Sequence, residues 1–260
     1  MRFCSLGSGS AGNALVVEAG SGARPSRVLV DCGFTLREFE LRLARAGLAP
    51  GDLDAVFVTH EHSDHVGSAL ALARRHRLPV WASRGTWRAA NGKADLAPEL
   101  LNVARDGEPI AIGELLLQPF AVPHDAQEPL QVTCTDGARR LGVLTDTGTS
   151  TAHLLDRLAG CHALVLECNH DRDLLARSRY PASLKTRIAG AYGHLANDSA
   201  AQILSGCLHA GLRHVVAAHL SRENNTPALA AAALASACGG SMHEIVVADQ
   251  FSGVGWLTLA

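Results

Sequence analysis

The sequence predicts an α/β fold in which sheets pack together and helices cover their outer faces. Three observations lead there. Short apolar, β-branched runs alternate with amphipathic ones, as strands exchanging with helices do. Five of those apolar runs end in a side chain suited to metal binding or proton transfer. Val28-Leu29-Val30 ends in Asp31, Val56-Phe57-Val58-Thr59 in His60, and Gly142-Val143-Leu144-Thr145 in Asp146. Leu164-Val165-Leu166 ends in Glu167, and Val215-Val216-Ala217-Ala218 in His219. One such ending is what a turn or helix cap gives; five point to a shared rim, where α/β folds carry their chemistry. Finally, 47% of the 260 residues are hydrophobic and 18% charged, a balance that buries a substantial core and excludes a disordered chain.

In chain order, a first strand leads into the Gly/Ser run from Gly7 to Gly12, a turn between the first two strands. β-branched apolar runs then predict strands at Arg27–Asp31 and Asp54–Thr59, with an amphipathic helix at Leu36–Ala46 between them. A second helix is expected at Asp64–His76. The middle of the chain reads as strands at Glu114–Ala121, Gln131–Thr135, Leu141–Thr145 and Ala163–Glu167, with a helix at Ser150–Leu158. Helices at Ser183–Ala189, Asp198–Ala210 and Pro227–Ala237 alternate with strands at Arg213–Ala218 and Glu244–Val247 towards the end. No repeat, low-complexity tract or Pro/Gly-rich linker interrupts the chain, so a single domain over 1–260 is expected.

Composition narrows the setting. No stretch approaches the roughly 18 consecutive apolar residues of a membrane span, and the first residues lack the apolar run of a secretory signal. The seven cysteines are odd in number and contain no C-x-x-C pair, which argues for a reducing cytoplasm and against a disulfide framework or thiolate zinc knuckle. The net charge of −2 announces no global attraction to nucleic acid. Thirteen histidines are the unusual feature.

Their density peaks at His60-Glu61-His62-Ser63-Asp64-His65. Three imidazoles and a carboxylate in six residues suit zinc, manganese or iron. His60 and His62, two apart in a strand-exit loop, can point to one ion, while Asp64 and His65 open a helix and can turn to a second.

This segment meets in full the H-x-H-x-D-H signature of the metallo-β-lactamase superfamily, which the chain resembles over essentially its whole length. Later motifs of that family have counterparts in Pro123-His124-Asp125, Thr145-Asp146-Thr147-Gly148 and Ala218-His219-Leu220. The resemblance implies a four-layer αββα sandwich of two mixed sheets holding two divalent metal ions. His60, His62 and His124 would hold one ion, Asp64, His65 and His219 the other, and Asp146 would bridge them. Asp31 would orient the first histidine loop without ligating.

Five further segments are similar to the bacterial YycJ (WalJ) family: residues 4–13, Glu167-Cys168-Asn169-His170-Asp171, Tyr180-Pro181 with Leu184-Lys185, Gly193-His194-Leu195-Ala196-Asn197, and residues 219–225. Ala196 departs from that pattern, where Ser would be expected. The implied activity is a metal-dependent exonuclease degrading double-stranded DNA from its 5′ end, in DNA mismatch repair and with repair proteins as partners. His194 also sits in a segment resembling the histidine loop of the tRNA 3′-processing endonucleases, which implies proton donation to the leaving oxygen. Glu167 could favour the protonated form of that histidine, with capping of the following turn as its other reading. Asp64 would accept the proton of an attacking hydroxide's parent water as well as ligate.

Substrate contacts are expected at Ser8, Gly9, Ser10 and Asn13, where small residues let backbone approach phosphate; a plain tight turn is the other reading. From Arg74 to Lys93 six cations occur without an acid. Within it Arg84 and Arg88 are candidate DNA contacts, and Trp81 and Trp87 could pack under the guanidinium groups or against bases; a solvated helix face with two core tryptophans is the other reading. Arg172, Arg177, Arg179, Lys185 and Arg187 form a second basic cluster. His170 stands open between substrate contact, packing beside a ligand and an ordinary loop histidine, whereas His76, His153, His162, His209, His214 and His243 read as surface or packing residues. The favoured function is thus a cytoplasmic dinuclear DNA phosphodiesterase using zinc or manganese. Its rivals are a metallo-hydrolase of a small thioester or cyclic phosphodiester, an RNA-processing nuclease, and a binding protein that keeps the fold without catalysis.

Overall fold

The computed structural model describes residues 1–260 apart from 21, 23, 91–95, 240–243 and 260; Lys93 and His243 therefore lie outside the described residues. Fourteen strands are described: β1 (Arg2–Gly7), β2 (Ala14–Ala19), β3 (Ser26–Val30), β4 (Ala55–Phe57), β5 (Val80–Ala82), β6 (Leu101–Val103) and β7 (Ile110–Ile112), followed by β8 (Leu115–Ala121), β9 (Leu130–Thr135), β10 (Arg140–Leu144), β11 (Ala163–Glu167), β12 (His214–Ala218), β13 (Glu244–Val247) and β14 (Val254–Thr258). The helices are α1 (Leu36–Arg45), α2 (Ser63–Val66), α3 (Ala69–His76), α4 (Arg84–Ala89), α5 (Ala152–Leu158), α6 (Arg172–Arg177), α7 (Ala182–Ile188), α8 (Asn197–Cys207) and α9 (Pro227–Ala237).

The strands form two seven-stranded sheets, ordered β14-β1-β2-β3-β4-β5-β6 and β13-β12-β11-β10-β9-β8-β7. Each is antiparallel on one side and parallel on the other, the change falling at β3 and at β10. Alternation along the strands builds the layers. Val28 and Val30 face a core shared with Leu117, Val132, Val143 and Val165 of the other sheet. Leu29 points the other way, into a layer with Phe39, Leu43 and Leu72 of α1 and α3. Leu164 and Leu166 likewise meet Leu154, Ile203 and Leu234 of α5, α8 and α9. The result is the expected four-layer αββα sandwich. Because both faces of the central strands are covered, their sequences are continuous apolar runs; each fully buried leucine contributes about 2 kcal/mol. All seven cysteines sit buried. No described helix is long and apolar enough to cross a membrane.

Two differences from the sequence reading have physical causes. The helix expected over Asp64–His76 is divided into α2 and α3 at Gly67, which adopts φ +26°. A Cβ there would lie 2.5 Å from the carbonyl oxygen of Cys32, so the chain bends to lie against the loop that follows β3. The strands β5, β6, β7 and β14 and the helices α4 and α6 have no counterpart in the sequence reading; β14, of five residues, follows Gly253 and contains Gly255, with only Val254, Trp256 and Leu257 as apolar positions. Three residues of strand or six of helix are too short for a period to show.

The C-terminal ends of β3, β4, β10, β11 and β12 meet at one rim and deliver Asp31, His60, Asp146, Glu167 and His219. Asp31, Asp146 and His219 all take left-handed backbone, at φ 61°, 58° and 54°. That region is sparsely populated for side chains with a Cβ and costs on the order of 1–3 kcal/mol per residue. Packing and hydrogen bonds hold it: Asp31 N–H donates to Phe57 O at 2.8 Å and His219 N–H to Ser8 Oγ at 2.8 Å.

Candidate metal centre

Behind the first histidine loop stands Asp31, 3% exposed. One oxygen accepts the Thr59 N–H at 2.8 Å, and the other accepts the Thr59 hydroxyl at 2.9 Å and lies 2.7 Å from His65 Nδ1. The Thr59 hydroxyl, having donated its proton to Asp31, can accept from His60 Nδ1–H at 3.0 Å. Both rings are thereby held with Nε2 directed away from this carboxylate. His124 is oriented in the same manner, its Nδ1 2.9 Å from the Gly193 carbonyl oxygen and its Nε2 3.3 Å from His62 Nδ1.

The free nitrogens converge. Ligand atoms of His60, His62 and His124 lie within 4.8 Å of one another, as do those of Asp64, His65 and His219, and those of His60, His65 and Asp146. Asp146 Oδ2 is 2.7 Å from His65 Nε2, and its Oδ1 is 2.8 Å from His219 Nδ1. Asp64 Oδ2 stands 3.4 Å from His219 Nε2 and 3.6 Å from His65 Nε2. The candidate ligands named from the sequence are thus brought together, with Asp146 within reach of both triads.

Divalent cations fit this set. The Nε2 of His60 is buried and has no hydrogen-bond partner among the described residues, and Asp146 Oδ2 and His219 Nδ1 touch their neighbours without hydrogen-bond geometry. Buried polar atoms are otherwise satisfied almost everywhere in folded proteins, so unsatisfied ones aimed at a common centre are what a cation would complete. Burial, with repulsion from His65, His124 and His62, pushes the His60 imidazole well below its usual range. A neutral ring with a bare nitrogen is the form that coordinates.

Beside the triads lies a proton-transfer pair. His194 Nδ1 is 2.7 Å from Glu167 Oε1 and 3.1 Å from Asp146 Oδ1. Burial works against the charged ring, yet Glu167 and Asp146 outweigh it and raise His194 to about 9. Glu167 is fully buried, and its other oxygen accepts the Thr147 N–H at 2.9 Å and the Leu195 N–H at 3.3 Å. These amides tie the β11 carboxylate to the segments carrying Asp146 and His194. His194 and Glu167 also fall within ligand distance of Asp146 and His219.

An open cleft of about 270 Å³ gives access to this cluster, with Asp64, Asp146 and His219 reached between Asn169, Arg187 and His194. Its other lining residues are Ser10, His62 and Ser63, so every side chain on its wall is polar. Of the Gly/Ser turn only Ser10 reaches it. Ser8 and Asn13 are buried and turned inward: Ser8 Oγ accepts from His219 N–H and donates to Asn13 Oδ1 at 3.2 Å. Asn13 Oδ1 also takes the Gly9 N–H at 2.8 Å, and Asn13 Nδ2 donates to the Asp64 carbonyl at 3.2 Å. Ser8 and Asn13 therefore brace the loops that carry His219 and Asp64, with Gly9 tied to Asn13.

The first basic stretch lies apart from this cleft. Arg84 and Arg88 are exposed on α4 and do not line the cleft. Trp81 packs on the intersheet core and Trp87 on the outer layer, its Nε1 donating to Asn102 O at 2.8 Å. Both rings are half-buried, on elements that close apolar layers. Arg75 and Arg77 pair with Glu40 and Glu99. The second cluster reaches the site instead: Arg187 lines the cleft and hydrogen-bonds Asp125, the neighbour of His124. Asn169, whose Nδ2 donates to His219 O at 3.1 Å, had no expected role. Its place two residues after a rim carboxylate, Glu167, was the available signal.

Residues 26–220 match the family described as the beta-lactamase superfamily domain. The chain is 35% identical over 231 residues to exodeoxyribonuclease YycJ of Bacillus anthracis, covering 88% of this chain and 86% of that one. It is 32% identical over 238 residues to exodeoxyribonuclease WalJ of Streptococcus pneumoniae serotype 2, covering 88% and 85%. Among solved structures, the metallo-beta-lactamase fold protein YhfI of Bacillus subtilis superimposes with a TM-score of 0.74 at 16% identity, covering 99% of both chains.

Proposed function

This chain belongs to the beta-lactamase superfamily and, within it, to the family of the exodeoxyribonucleases YycJ and WalJ, and from that premise we propose that it is a dinuclear metal-dependent phosphodiesterase degrading double-stranded DNA from the 5′ end. The observation that carries the dinuclear reading is Asp146, whose carboxylate groups with His60 of the first triad within 4.8 Å and also faces His65 and His219 of the second at 2.7 and 2.8 Å. One ion would be held by His60, His62 and His124 and the other by Asp64, His65 and His219, with zinc and manganese both suited to the mixed nitrogen and oxygen set. A cleft lined by polar and charged side chains favours a phosphodiester over a small thioester, which an apolar pocket would suit better.

When bound, divalent cations would offset charge on the phosphate oxygens and lower the pKa of a water for in-line attack. The chain's own residues do the rest. Asp64 accepts the proton lost by the attacking water. His194, held through Nδ1 by Glu167, carries a second proton at neutral pH and gives it to the departing 3′ oxygen. Arg187 at the cleft wall contacts a phosphate of the strand. A role in mismatch repair is the setting that the family resemblance implies.

The test is the metal-loaded protein on duplexes labelled at either end, in manganese and in zinc. Stepwise release of nucleotides from the 5′ end supports the proposal; release from the 3′ end, or cleavage of RNA in preference to DNA, overturns it.

A further inference from the structure

One histidine of the rim takes no part in the metal centre. His170 follows β11 by three residues, its backbone N–H directed to Leu195 O and its carbonyl accepting the Asn197 N–H at 2.9 Å. The side chain is 1% exposed, and neither ring nitrogen has a hydrogen-bond partner among the described residues. Its partner in an isolated parallel bridge is Ala196, which has no polar side-chain atom to offer. Leaving a buried polar group unsatisfied costs about 1–3 kcal/mol, so such a ring is either a defect or half of a binding site.

The surroundings decide between these. His170 lines a second cleft, of about 300 Å³, between α6 and α7. Arg172, Leu175 and Ala176 come from α6, and Lys185 and Thr186 from α7. Lys185 Nζ spends one donor on the Ala176 carbonyl at 2.7 Å; an ammonium has three. Arg172 is held across from it by Asp198 and Ser199. An unsatisfied ring, the ammonium of Lys185, the Asp198-paired guanidinium of Arg172 and a hydroxyl stand around a cleft whose remaining wall is Leu175, Ala176 and Ala189. These polar groups suit an anion, and α7 ties the cleft to the metals. Thr186 lines this cleft, while the next residue, Arg187, lines the metal cleft. A single polyanion crossing α7 reaches both.

We propose that the cleft between α6 and α7 binds a phosphate group of the substrate, with His170 at its floor and Lys185 and Arg172 at its mouth. Burial lowers the His170 imidazole to about 4, so the ring is neutral and its one N–H lacks an acceptor that a phosphate oxygen supplies. The phosphate is either the terminal 5′ group or a backbone diester next to the scissile one. The assignment rests on the phosphodiesterase reading for its source of phosphate, not for its chemistry.

The experiment compares wild type, His170→Phe and Lys185→Gln, all metal-loaded. Phe keeps a planar ring and removes both nitrogens. Lys185 is half-buried and, among the described residues, its ammonium holds only the Ala176 carbonyl; circular dichroism checks that both variants keep the fold. Affinity is measured for duplexes ending in 5′-phosphate or 5′-hydroxyl, with phosphorothioate at the terminal linkage, and melting temperature is followed with inorganic phosphate. For a terminal phosphate, wild type prefers the phosphorylated duplex by about tenfold, the scale of one hydrogen bond to a charged group. Both variants then lose that preference and bind the hydroxyl duplex as before. Equal weakening on both duplexes assigns the cleft to a backbone phosphate. Unchanged affinities in both variants, with the same response to inorganic phosphate as wild type, overturn the proposal. If wild type binds neither duplex yet inorganic phosphate raises its melting temperature and not that of His170→Phe, the nuclease reading fails and the anion site stands.

Discussion

The first sheet delivers His60, His62, Asp64 and His65 from six consecutive residues, whereas the second delivers His124, Asp146 and His219 from three separate loops spread between residues 124 and 219. In the first half the spacing of the ligands is a property of one loop and the short helix it opens, braced from behind by Asp31. In the second half it is a property of register: Leu144 lies beside Leu166, and Glu167 beside Ala218, across the parallel pairs β10–β11 and β11–β12. A slip of one residue there would move a rim side chain by about 3.3 Å and turn its neighbours to the wrong face. Local chain geometry and sheet topology are two independent ways of placing a ligand, and they respond differently to mutation.

The largest expected effect separates the bridging position from a terminal one. Asp146→Ala should lower occupancy of both metal positions and abolish turnover, while His62→Ala should empty mainly one. His219→Ala should lose metal and activity together. Elemental analysis of protein purified with metal present should approach two equivalents for wild type. A stable maximum of one equivalent with full activity would remove the bridge and make the second half a support for a mononuclear site.

Next in size is His194, which belongs to the second half yet is read as a proton donor. His194→Ala should keep its metal and still bind DNA while losing roughly 10²–10⁴-fold in rate on a phosphodiester whose alkoxide leaves poorly. On bis(p-nitrophenyl) phosphate the loss should shrink sharply, since nitrophenolate departs without a proton. Because His194 and Glu167 also stand within ligand distance of Asp146, metal content is the deciding readout. A metal deficit, or equal loss on both substrates, would make His194 a ligand of the second half.

The same contrast explains what could be read from the sequence. The six-residue motif is legible because all its ligands share one loop, and the five polar endings of apolar runs are legible because burial on both faces leaves each strand one place to turn polar. The Gly/Ser turn divides between its two readings: Ser10 stands at the cleft, while Ser8 and Asn13 spend their side chains on the backbone of His219 and Asp64, partners distant in sequence that no local pattern announces. Trp81 and Trp87, among arginines, read equally as rings for bases and as core residues, because β5 and α4 are too short for the sequence to reveal which face is buried; their packing agrees with the core reading. Arg187 and Asn169 reach the cleft only through the packing of α7 and of the loop after β11.

Asp31→Asn probes the brace of the first half and should cost less. Asn tolerates the left-handed backbone of this position but replaces the carboxylate that faces His65 Nδ1 at 2.7 Å. Metal affinity should fall by about 10–100-fold, the usual cost of removing a carboxylate behind a metal-binding histidine, with the fold retained by circular dichroism. Unchanged affinity in a competitive chelator titration would mean the loop is held by Thr59 and Gly67 alone.

The smallest effect concerns which half carries the DNA. Arg84 and Arg88 are four residues apart on α4 and exposed, so they lie on one helix face of the first half. Arg187 lies on α7, at the cleft of the second. Each phosphate contact contributes about one unit to the slope of log affinity against log salt. Arg84→Glu and Arg88→Glu should each flatten that slope by about one unit if the duplex crosses α4, with metal content and turnover at saturating DNA unchanged. Arg187→Gln should flatten it equally and also lower turnover, since its guanidinium stands at the metal cleft and braces Asp125 beside His124. A flattened slope in all three places the duplex across both halves of the rim. An unchanged slope in the two α4 variants, with Arg187→Gln still affected, confines the track to α7 and returns α4 to a solvated face.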